Sequence, residues 1–352
     1  SKIGKDYSEG LKDPYEFLIK NYQTDTQGGW IFSVDAKGHP YDRTRDFYGH
    51  SFVIFTMAHL DGIEGISNTK DYAMQTLGYI KEHFALIDAP GFTEALDEQN
   101  RELKRTRRQD PHMHLLEACL LAWEVWREDI FLETAAEIVE LFKQYFLREE
   151  HSGLIEYFDR QLNPHPEEGN LIKPGHYFEW VWLLQKYKTL SGDPDPSLAR
   201  ISFNFLDQGH KDGYDTLYGG IFDYVDPGGE ILQDTKRLWP FAEALKANAL
   251  MMDVWPDRQE LKSRMREMIH VFETGYIEER GFWTESLNRD LTPATDTMPG
   301  TTPYHLYFGI EETIKYLKAR GPSKSMRSIP VGLAYNTRRN LSNFIQKVFK
   351  PL

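Results

Sequence analysis

Apolar residues recur at i, i+3 and i+4 spacing in nine separate stretches, which is the pattern of helices that bury one face. These stretches lie near 45–62, 69–86, 111–126, 129–146, 174–191, 195–210, 236–254, 257–274 and 302–319. Further helices are predicted over 7–22 and 331–348. Asp and Pro in "SGDPDPSLAR" (191–200) and "VWPDRQE" (254–260) are typical of turns between paired helices. The sequence therefore predicts an all-α protein built from helix pairs.

Five short segments between the helices share a second pattern: Gly, then alternating apolar and aromatic residues, then Asp or Asn. They are "GGWIFSVDAKG" from Gly28, "PGFTEALDEQN" from Pro90, "SGLIEYFDRQLN" from Ser152, "YGGIFDYVDPGG" from Tyr218 and "RGFWTESLNRD" from Arg280. Such a pattern is typical of a short strand entering a tight turn. Because the segments start about 61 to 67 residues apart, they indicate stacked repeats of hairpin and helix pair. Closed in a circle, the repeats form an α/α toroid with its hairpins on one rim; a linear solenoid is the alternative.

The helix that follows each hairpin begins with polar, ionisable or aromatic residues and continues as an apolar body. These beginnings read "RDFYGHSF", "RQDPHMHLLE", "KPGHYFEWVW", "KRLWPFAEA" and "TTPYHLYF". A surface helix would instead carry its polar residues along one outward stripe. We therefore expect five inner helices whose first turns line one shared cavity.

Composition and charge exclude several classes of protein. A chain of 352 residues with 27% charged and 40% hydrophobic residues is globular, and it contains no apolar run long enough to cross a membrane. A net charge of −13 disfavours nucleic acid and anionic membranes as partners. The first residues contain no apolar segment typical of a signal peptide. Because Cys119 is the single cysteine, we expect no intrachain disulfide and a reducing, cytoplasmic location.

Three kinds of chemistry fit the polar residues at the inner-helix starts. His114 with Glu117, and His176 with Glu179, are spaced i, i+3 and could build a di-metal site, although no third pair of this kind occurs at an inner-helix start. Glu117, Glu179 and Glu243 could supply the two carboxyl groups of a glycoside hydrolase. Histidines at matching positions of the repeats favour a third chemistry, in which two of them move a proton at C2 of a sugar.

The motifs that carry these residues resemble the N-acylglucosamine 2-epimerase family, which includes cellobiose 2-epimerases and mannose-type aldose–ketose isomerases. The matching motifs are "PHMHLLEA", "PGHYFEWVWLL", "KRLWPFAEALKA" and "PYHLYF", in this order, within about residues 10 to 320. The resemblance implies an (α/α)6 barrel, a sugar substrate, and a reaction that needs neither a metal nor a redox cofactor.

The resemblance also implies roles for individual residues. The histidine of the Pro-Gly-His motif and the histidine of the last inner helix form the acid/base pair of the family, and here they are His176 and His305. Glu179 is expected to hold His176 or a sugar hydroxyl, and Trp239 to pack on the sugar ring. His114 matches a family position that contacts the substrate, and Tyr48 matches a tyrosine that lines the pocket. Asp110 matches a position that carries a polar group.

The chain departs from its relatives at both ends of the barrel. Relatives begin with a further helix pair, whose inner helix carries a substrate-binding Arg in a Trp-x-x-Ala-Arg context. We expect residues 1–320 to form one α/α-barrel domain that lacks this pair, and residues 321–352 to form a C-terminal helix. One hypothesis is that this helix fills the inner position of the missing pair and supplies Arg338 in place of the family's Arg. The alternative is that it packs outside the barrel.

A second departure concerns the substrate. Cellobiose epimerases carry a Trp five residues before the last catalytic histidine, where an outer sugar stacks, and this chain has Gly300 there. We therefore favour a mannose/fructose-like isomerase over an N-acylglucosamine/N-acylmannosamine 2-epimerase. An inverting glycoside hydrolase and a non-catalytic carbohydrate-binding protein are the alternatives from other classes. The oligomeric state is left open, with a homodimer as one option.

Overall fold

The computed structural model describes residues 8–23, 28–148, 153–278 and 282–319 of the chain. These residues form ten α-helices: α1 (Ser8–Tyr22), α2 (Phe47–Leu60), α3 (Thr69–Tyr79), α4 (Asp110–Trp126), α5 (Asp129–Leu141), α6 (Pro174–Ser191), α7 (Pro196–Gly213), α8 (Leu238–Val254), α9 (Gln259–Val271) and α10 (Thr302–Ala319). Nine of them coincide with helices predicted from hydrophobic periodicity, and α1 coincides with the further helix predicted over 7–22. The predicted helix over 331–348 lies outside the described residues. No helix in the described ranges is long and apolar enough to cross a membrane.

Three helices continue into one π-helical turn before the chain reaches the next hairpin. These turns cover 80–84, 142–146 and 272–276 and extend α3, α5 and α9. A π turn takes one residue more than an α turn, and in each case its last residue is a fully buried aromatic, namely Phe84, Phe146 and Tyr276. Phe84 packs on Phe47 at the start of α2, with ring centroids 5.7 Å apart, and Tyr276 packs on Phe241 near the start of α8 at 5.1 Å. The turns thus join the end of the second helix of a pair to the beginning of the first.

The strands are short and lie between the helix pairs. They are β1 (Ser33–Val34), β2 (Pro40–Asp42), β3 (Arg45–Asp46), β4 (Ala95–Leu96), β5 (Arg107–Arg108), β6 (Leu147–Arg148), β7 (Gly153–Leu154), β8 (Tyr157–Phe158), β9 (Tyr224–Val225), β10 (Ile231–Gln233), β11 (Lys236–Arg237) and β12 (Ser286–Leu287). They pair antiparallel as β1–β2, β3–β4, β5–β8, β6–β7, β9–β10 and β11–β12. Three of these pairs, β3–β4, β5–β8 and β11–β12, join the strand before an inner helix to the following hairpin segment.

The predicted turns of the hairpin segments are closed by aspartate side chains. In four segments one Asp oxygen accepts hydrogen bonds from the backbone N–H groups two and four residues later, at 2.8–2.9 Å. These residues are Asp35, Asp97, Asp159 and Asp226. Asp stabilises tight turns because its short side chain can satisfy nearby backbone donors. The repeat read from the sequence is therefore a repeat of turn chemistry as well as of hydrophobicity.

The chain divides into two compact units. Unit 1 comprises the described residues up to Leu171 together with Leu183–Asp195, and unit 2 comprises Ile172–Trp182 and the described residues from Pro196 onward. In unit 1, α2 packs against α3 and α4, and α4 packs against α5. In unit 2, α8 packs against α9 and α10. The prediction of a single domain over 1–320 stays a prediction, and the segment 321–352 lies outside the described residues.

A buried acid directly precedes four of the strands and holds the beginning of an inner helix. The pairs are Glu94 with Arg108, Glu156 with Gln109, Asp223 with Arg237 and Glu285 with Thr302, at side-chain distances of 2.9, 3.0, 2.7 and 2.8 Å. All four acids are at most 8% exposed. Buried carboxylates need such partners because an unpaired charge is costly away from water. The hairpins thus fix where α4, α8 and α10 begin, and with them the first-turn side chains.

Candidate functional site

The first turn of α8 in unit 2 is held in place by a buried lysine. The Lys236 ammonium is fully buried and donates hydrogen bonds to Asp215 Oδ2 at 2.8 Å and to the carbonyl oxygens of Gly219 and Arg289, both at 2.7 Å. All three ammonium hydrogens are therefore satisfied. Because Lys236 stands three residues before Trp239, this anchor fixes the position at which the indole leaves the helix.

Trp239 contacts both histidines of the predicted acid/base pair. Its ring centroid lies 5.1 Å from that of His176, at the start of α6, and 5.4 Å from that of His305, at the start of α10. The indole also lies against Gly175, where an added Cβ would stand 2.7 Å from two atoms of the Trp239 ring. Glycine at position 175 therefore lets the Pro-Gly-His turn approach the indole closely.

His305 is oriented by a carboxylate from α8. Its Nδ1 lies 2.8 Å from Oε1 of the fully buried Glu243. A carboxylate at this distance accepts a hydrogen bond from Nδ1–H, so Nε2 is the nitrogen that can accept or return a proton. This is the arrangement by which proteins prepare an imidazole for acid/base catalysis.

Glu243 is held in its charged form. Burial by itself would raise the pKa of this carboxyl, but the Lys246 ammonium and the hydrogen bond from His305 hold the pKa below its ordinary value. Lys246 Nζ forms an ion pair with Oε2 at 2.6 Å. The two oxygens of Glu243 are thus engaged separately, one by the imidazole and one by the ammonium.

A second buried acid, Glu179 from α6, belongs to the same cluster. One oxygen of Glu179, one of Glu243 and one nitrogen of His305 all lie within 4.8 Å of one another. Donors this close are found around metal ions. Here, however, Glu243 already faces a resident cation, Lys246, and this ion pair counts against a metal ion at the same carboxylate. The expected contact of Glu179 with His176 stays a prediction.

Unit 1 places a second group of predicted site residues around His114 in the first turn of α4. Its Nε2 lies 3.2 Å from Oδ1 of Asp110, and its Nδ1 lies 3.5 Å from Oε2 of Glu117. The rings of Tyr48 and Phe52, both on α2, pack against the imidazole with centroids 4.8 and 5.1 Å away. His114 is therefore framed by two acids and two aromatic rings.

His112, two residues earlier, has a structural role. Its Nε2 accepts the backbone N–H of Phe92 at 3.1 Å, and its Nδ1 faces the carbonyl four residues back, also at 3.1 Å. Burial and the nearby Arg107 charge lower the pKa of His112 to about 3. His50 in α2 repeats the arrangement, accepting the N–H of Trp30 at 3.1 Å. The two histidines each clamp a hairpin segment to the helix that follows it.

The predicted site residues thus fall into two groups. Unit 2 contains His176, Glu179, Trp239 and His305, while unit 1 contains Tyr48, Asp110 and His114; Arg338 lies outside the described residues. Lys246 was not predicted as part of the cluster. A signal was present: a lysine stands three residues after Glu243 in the mostly apolar run "FAEALKANALMM".

Comparison with known proteins gives a consistent result. A mannose-6-phosphate isomerase of Rhizobium meliloti (strain 1021) is 29% identical over 309 residues, which are 83% of this chain and 76% of the relative. A cellobiose 2-epimerase of Bacteroides fragilis is 23% identical over 81% of this chain and 76% of its own. A crystal structure of a D-mannose isomerase superposes with a TM-score of 0.78 at 21% identity, covering 88% of this chain and 81% of that one.

The structural likeness confirms the predicted all-α fold of the (α/α)6 barrel class. The placement of all hairpins on one rim stays a prediction. The sequence model named N-acylglucosamine 2-epimerase matches residues 5–309. This chain belongs to the N-acylglucosamine 2-epimerase family, which confirms the resemblance found in its motifs and, with it, the class of enzyme, a sugar epimerase or isomerase.

Proposed function

We propose that the protein moves a proton at C2 of an opened aldose, with His176 and His305 as the acid/base pair. The observation that carries this proposal is that both imidazoles contact the ring of Trp239, while Glu243 holds His305 through Nδ1 and leaves proton exchange to Nε2. Two bases beside one aromatic platform suit a sugar that packs on the indole. The reaction transfers only protons, so it requires neither a metal nor a redox cofactor.

The chemistry proceeds through an enediol. One histidine takes the C2 proton, the C–H electrons form the C1–C2 double bond, and the carbonyl oxygen at C1 gains a proton. If C1 of the cis-enediol is then protonated while the hydroxyl at C2 becomes a carbonyl, the product is a ketose. If C2 is protonated from the opposite face while the hydroxyl at C1 loses its proton and becomes the carbonyl again, the product is the 2-epimer. The fixed Nδ1–H tautomer makes His305 suited to be the first base, with His176 as its partner.

The properties of Glu243 count against the glycoside hydrolase alternative. A hydrolase needs one carboxylic acid that is kept protonated by a raised pKa. Glu243 has the opposite property, because Lys246 and His305 hold it as a carboxylate. Oε2 of Glu117 lies 3.5 Å from Nδ1 of His114, so this glutamate also stands beside an imidazole. We therefore assign these glutamates to orienting histidines.

A monosaccharide of the mannose/fructose type is the proposed substrate. Gly300, five residues before His305, is exposed and has open space around it, so it offers no side chain on which an outer sugar could stack. The relatives named mannose-6-phosphate isomerase and D-mannose isomerase support aldose–ketose isomerisation, and the name of the family model supports 2-epimerisation of N-acylated hexosamines as the second candidate. The substrate-contacting roles of Tyr48, Asp110 and His114 rest on the family resemblance.

We propose a cytoplasmic location, and the argument for it is the single cysteine. Cys119 is a buried free thiol in the body of α4, and burial raises its pKa, so it behaves as a core residue. A protein that relies on no disulfide suits a reducing compartment. The partner we propose is the sugar alone, with neither nucleic acid nor membrane, and a homodimer is left to measurement.

Incubation with sugars in heavy water, followed by NMR, tests the proposal. The sugars are mannose, mannose 6-phosphate, glucose, fructose and N-acetylmannosamine. Deuterium at C1 of a new ketose establishes the isomerase, and deuterium at C2 of an inverted aldose establishes the epimerase. Sugar binding without any incorporated deuterium would overturn the proposal in favour of a carbohydrate-binding protein, and release of reducing sugar from a glycoside would favour the hydrolase.

A further inference from the structure

A lysine stands in the core of unit 2 behind the proposed catalytic cluster. Lys246 lies three residues after Glu243 on α8, so both side chains leave the same face of the helix. It is 1% exposed. Its ammonium pairs with Glu243 Oε2 at 2.6 Å and lies 4.7 Å from the ring centroid of Trp182 on α6. The proposed mechanism does not use this lysine.

Burial of an ammonium group is costly, and an apolar side chain of similar length would fill the same space without that cost. The ion pair with Glu243 compensates the cost of burying the ammonium, but packing alone does not require an ammonium at position 246. Glu243 is also the residue that orients His305, through its other oxygen at 2.8 Å. Lys246, Glu243 and His305 therefore form one chain of charged contacts that ends at the proposed base.

We propose that Lys246 is a positioning residue that sets the basicity of His305 through Glu243. Two buried carboxylates near an imidazole, Glu243 and Glu179, favour its protonated form. A base must be neutral to take a proton. The two carboxylates alone would therefore keep the imidazole protonated and inactive as a base at neutral pH. The ammonium of Lys246 offsets one of the two negative charges and keeps the imidazole neutral, while Glu243 continues to accept the hydrogen bond from Nδ1–H.

Besides Glu243 and Glu179, the described surroundings of His305 include two aromatic rings and a guanidinium that is paired elsewhere. On its own helix the ring of Tyr304 packs on His305 at 4.5 Å, and the ring of Trp239 from α8 is a shared neighbour of His305 and His176. The guanidinium of Arg237 lies over the Trp239 ring at 5.4 Å and is engaged by Asp223 at 2.7 Å. Among the described groups, Lys246 is the cation in contact with the carboxylate that holds His305.

Replacement of the ammonium by an apolar group of similar length tests the inference. In Lys246→Met we expect the acid limb of the kcat/KM profile to move to higher pH by about one unit, because a positive neighbour that opposed protonation is gone. Lys246→Arg keeps the charge and should leave the limb within a few tenths of a unit. Lys186→Met is the matched control, because it removes another Lys–Glu ion pair, with Glu124 at 2.7 Å, outside the cluster.

The inference rests on the proposed function only for its effect on turnover. A second measurement, the NMR titration of His305, does not depend on activity. Nitrogen-15 NMR of His305 in the wild type should show the neutral Nδ1–H tautomer at pH 7, and its titration midpoint should rise in Lys246→Met. A protonated His305 at pH 7 in the wild type, or an equal midpoint in a folded Lys246→Met, overturns the inference. If the Met variant does not fold, the same two measurements are made on the wild type and on Lys246→Gln: the protonation state of His305 at pH 7 and its titration midpoint. If no sugar is turned over but the His305 titration midpoint rises in Lys246→Met as expected, the proposed function is refuted and the role of Lys246 stands.

Discussion

Glu243 Oε1 lies 2.8 Å from Nδ1 of His305, a residue 62 positions later in the chain. The contact joins α8 to α10, the helices of unit 2 whose first turns also contribute Trp239 and the proposed base. It determines which nitrogen of His305 is available, and hence whether this histidine can act as a base at all.

We expect Glu243→Gln to lower kcat by about 100-fold, with a smaller change in KM. The amide can still contact the imidazole, but it removes the charge and no longer fixes the Nδ1–H tautomer, and loss of such an orienting partner typically costs this much. Initial rates on the sugar identified in heavy water measure the effect, with thermal unfolding to show that the variant is folded. A kcat within threefold of wild type would refute the orienting role.

His176→Gln and His305→Gln should each lower kcat by about 100- to 10,000-fold, because each removes one member of the acid/base pair. Deuterium exchange at C2 should be lost in the variant that lacks the first base, which tells the two histidines apart. His39→Gln is the matched control, since His39 is an exposed histidine in the turn between β1 and β2. If either site variant retained wild-type exchange, the assigned pair would be wrong.

Gly175→Ala should damage the site through Trp239. The new methyl group would stand 2.7 Å from the Trp239 ring and 2.8 Å from Pro240 Cβ, so the Pro-Gly-His turn or the indole must move. We expect a loss of about 1–3 kcal/mol in unfolding free energy and a clear fall in kcat/KM. Gly78→Ala, at an exposed helical position with open space, is the control and should be neutral or slightly stabilising. Equal behaviour of the two variants would contradict the close approach.

Stability should fall as the pH is lowered from about 6.5 towards 3. Burial lowers the pKa of both His112 and His210 to about 3, assisted by the charges of Arg107 and Arg264. The unfolded chain takes up these protons near pH 6.5, so below that pH it binds more protons than the folded protein. Each histidine then contributes a slope of up to about 1.4 kcal/mol per pH unit.

Urea unfolding at a series of pH values measures this slope. His112→Gln should unfold more easily at pH 7.5, because it loses the clamp on Phe92, and should show a shallower loss of stability between pH 6 and 4. A slope in that variant equal to wild type would mean that the titration of His112 makes no contribution.

Local sequence signals predicted much of this architecture. The helices follow from apolar spacing, and the turns at Asp35, Asp97, Asp159 and Asp226 follow from residues that satisfy backbone donors only a few positions away. The π turns that end α3, α5 and α9 were not predicted, because one extra residue in a turn leaves the apolar pattern almost unchanged. The buried acids that hold the starts of α4, α8 and α10 were also missed, since their partners lie on other elements.

What the sequence by itself determined was the repeat, the elements within it and the histidines worth examining, because these depend on spacing over a few residues. Only the tertiary structure decided their roles. His112 and His114 differ by two positions, yet one clamps Phe92 and the other faces Asp110 and Glu117. Lys246 reads as an ordinary helical lysine until folding buries it against Glu243 and places Glu243 against His305. The reason is physical: burial and charge pairing depend on neighbours brought together from distant parts of the chain, and spacing along one helix does not encode them.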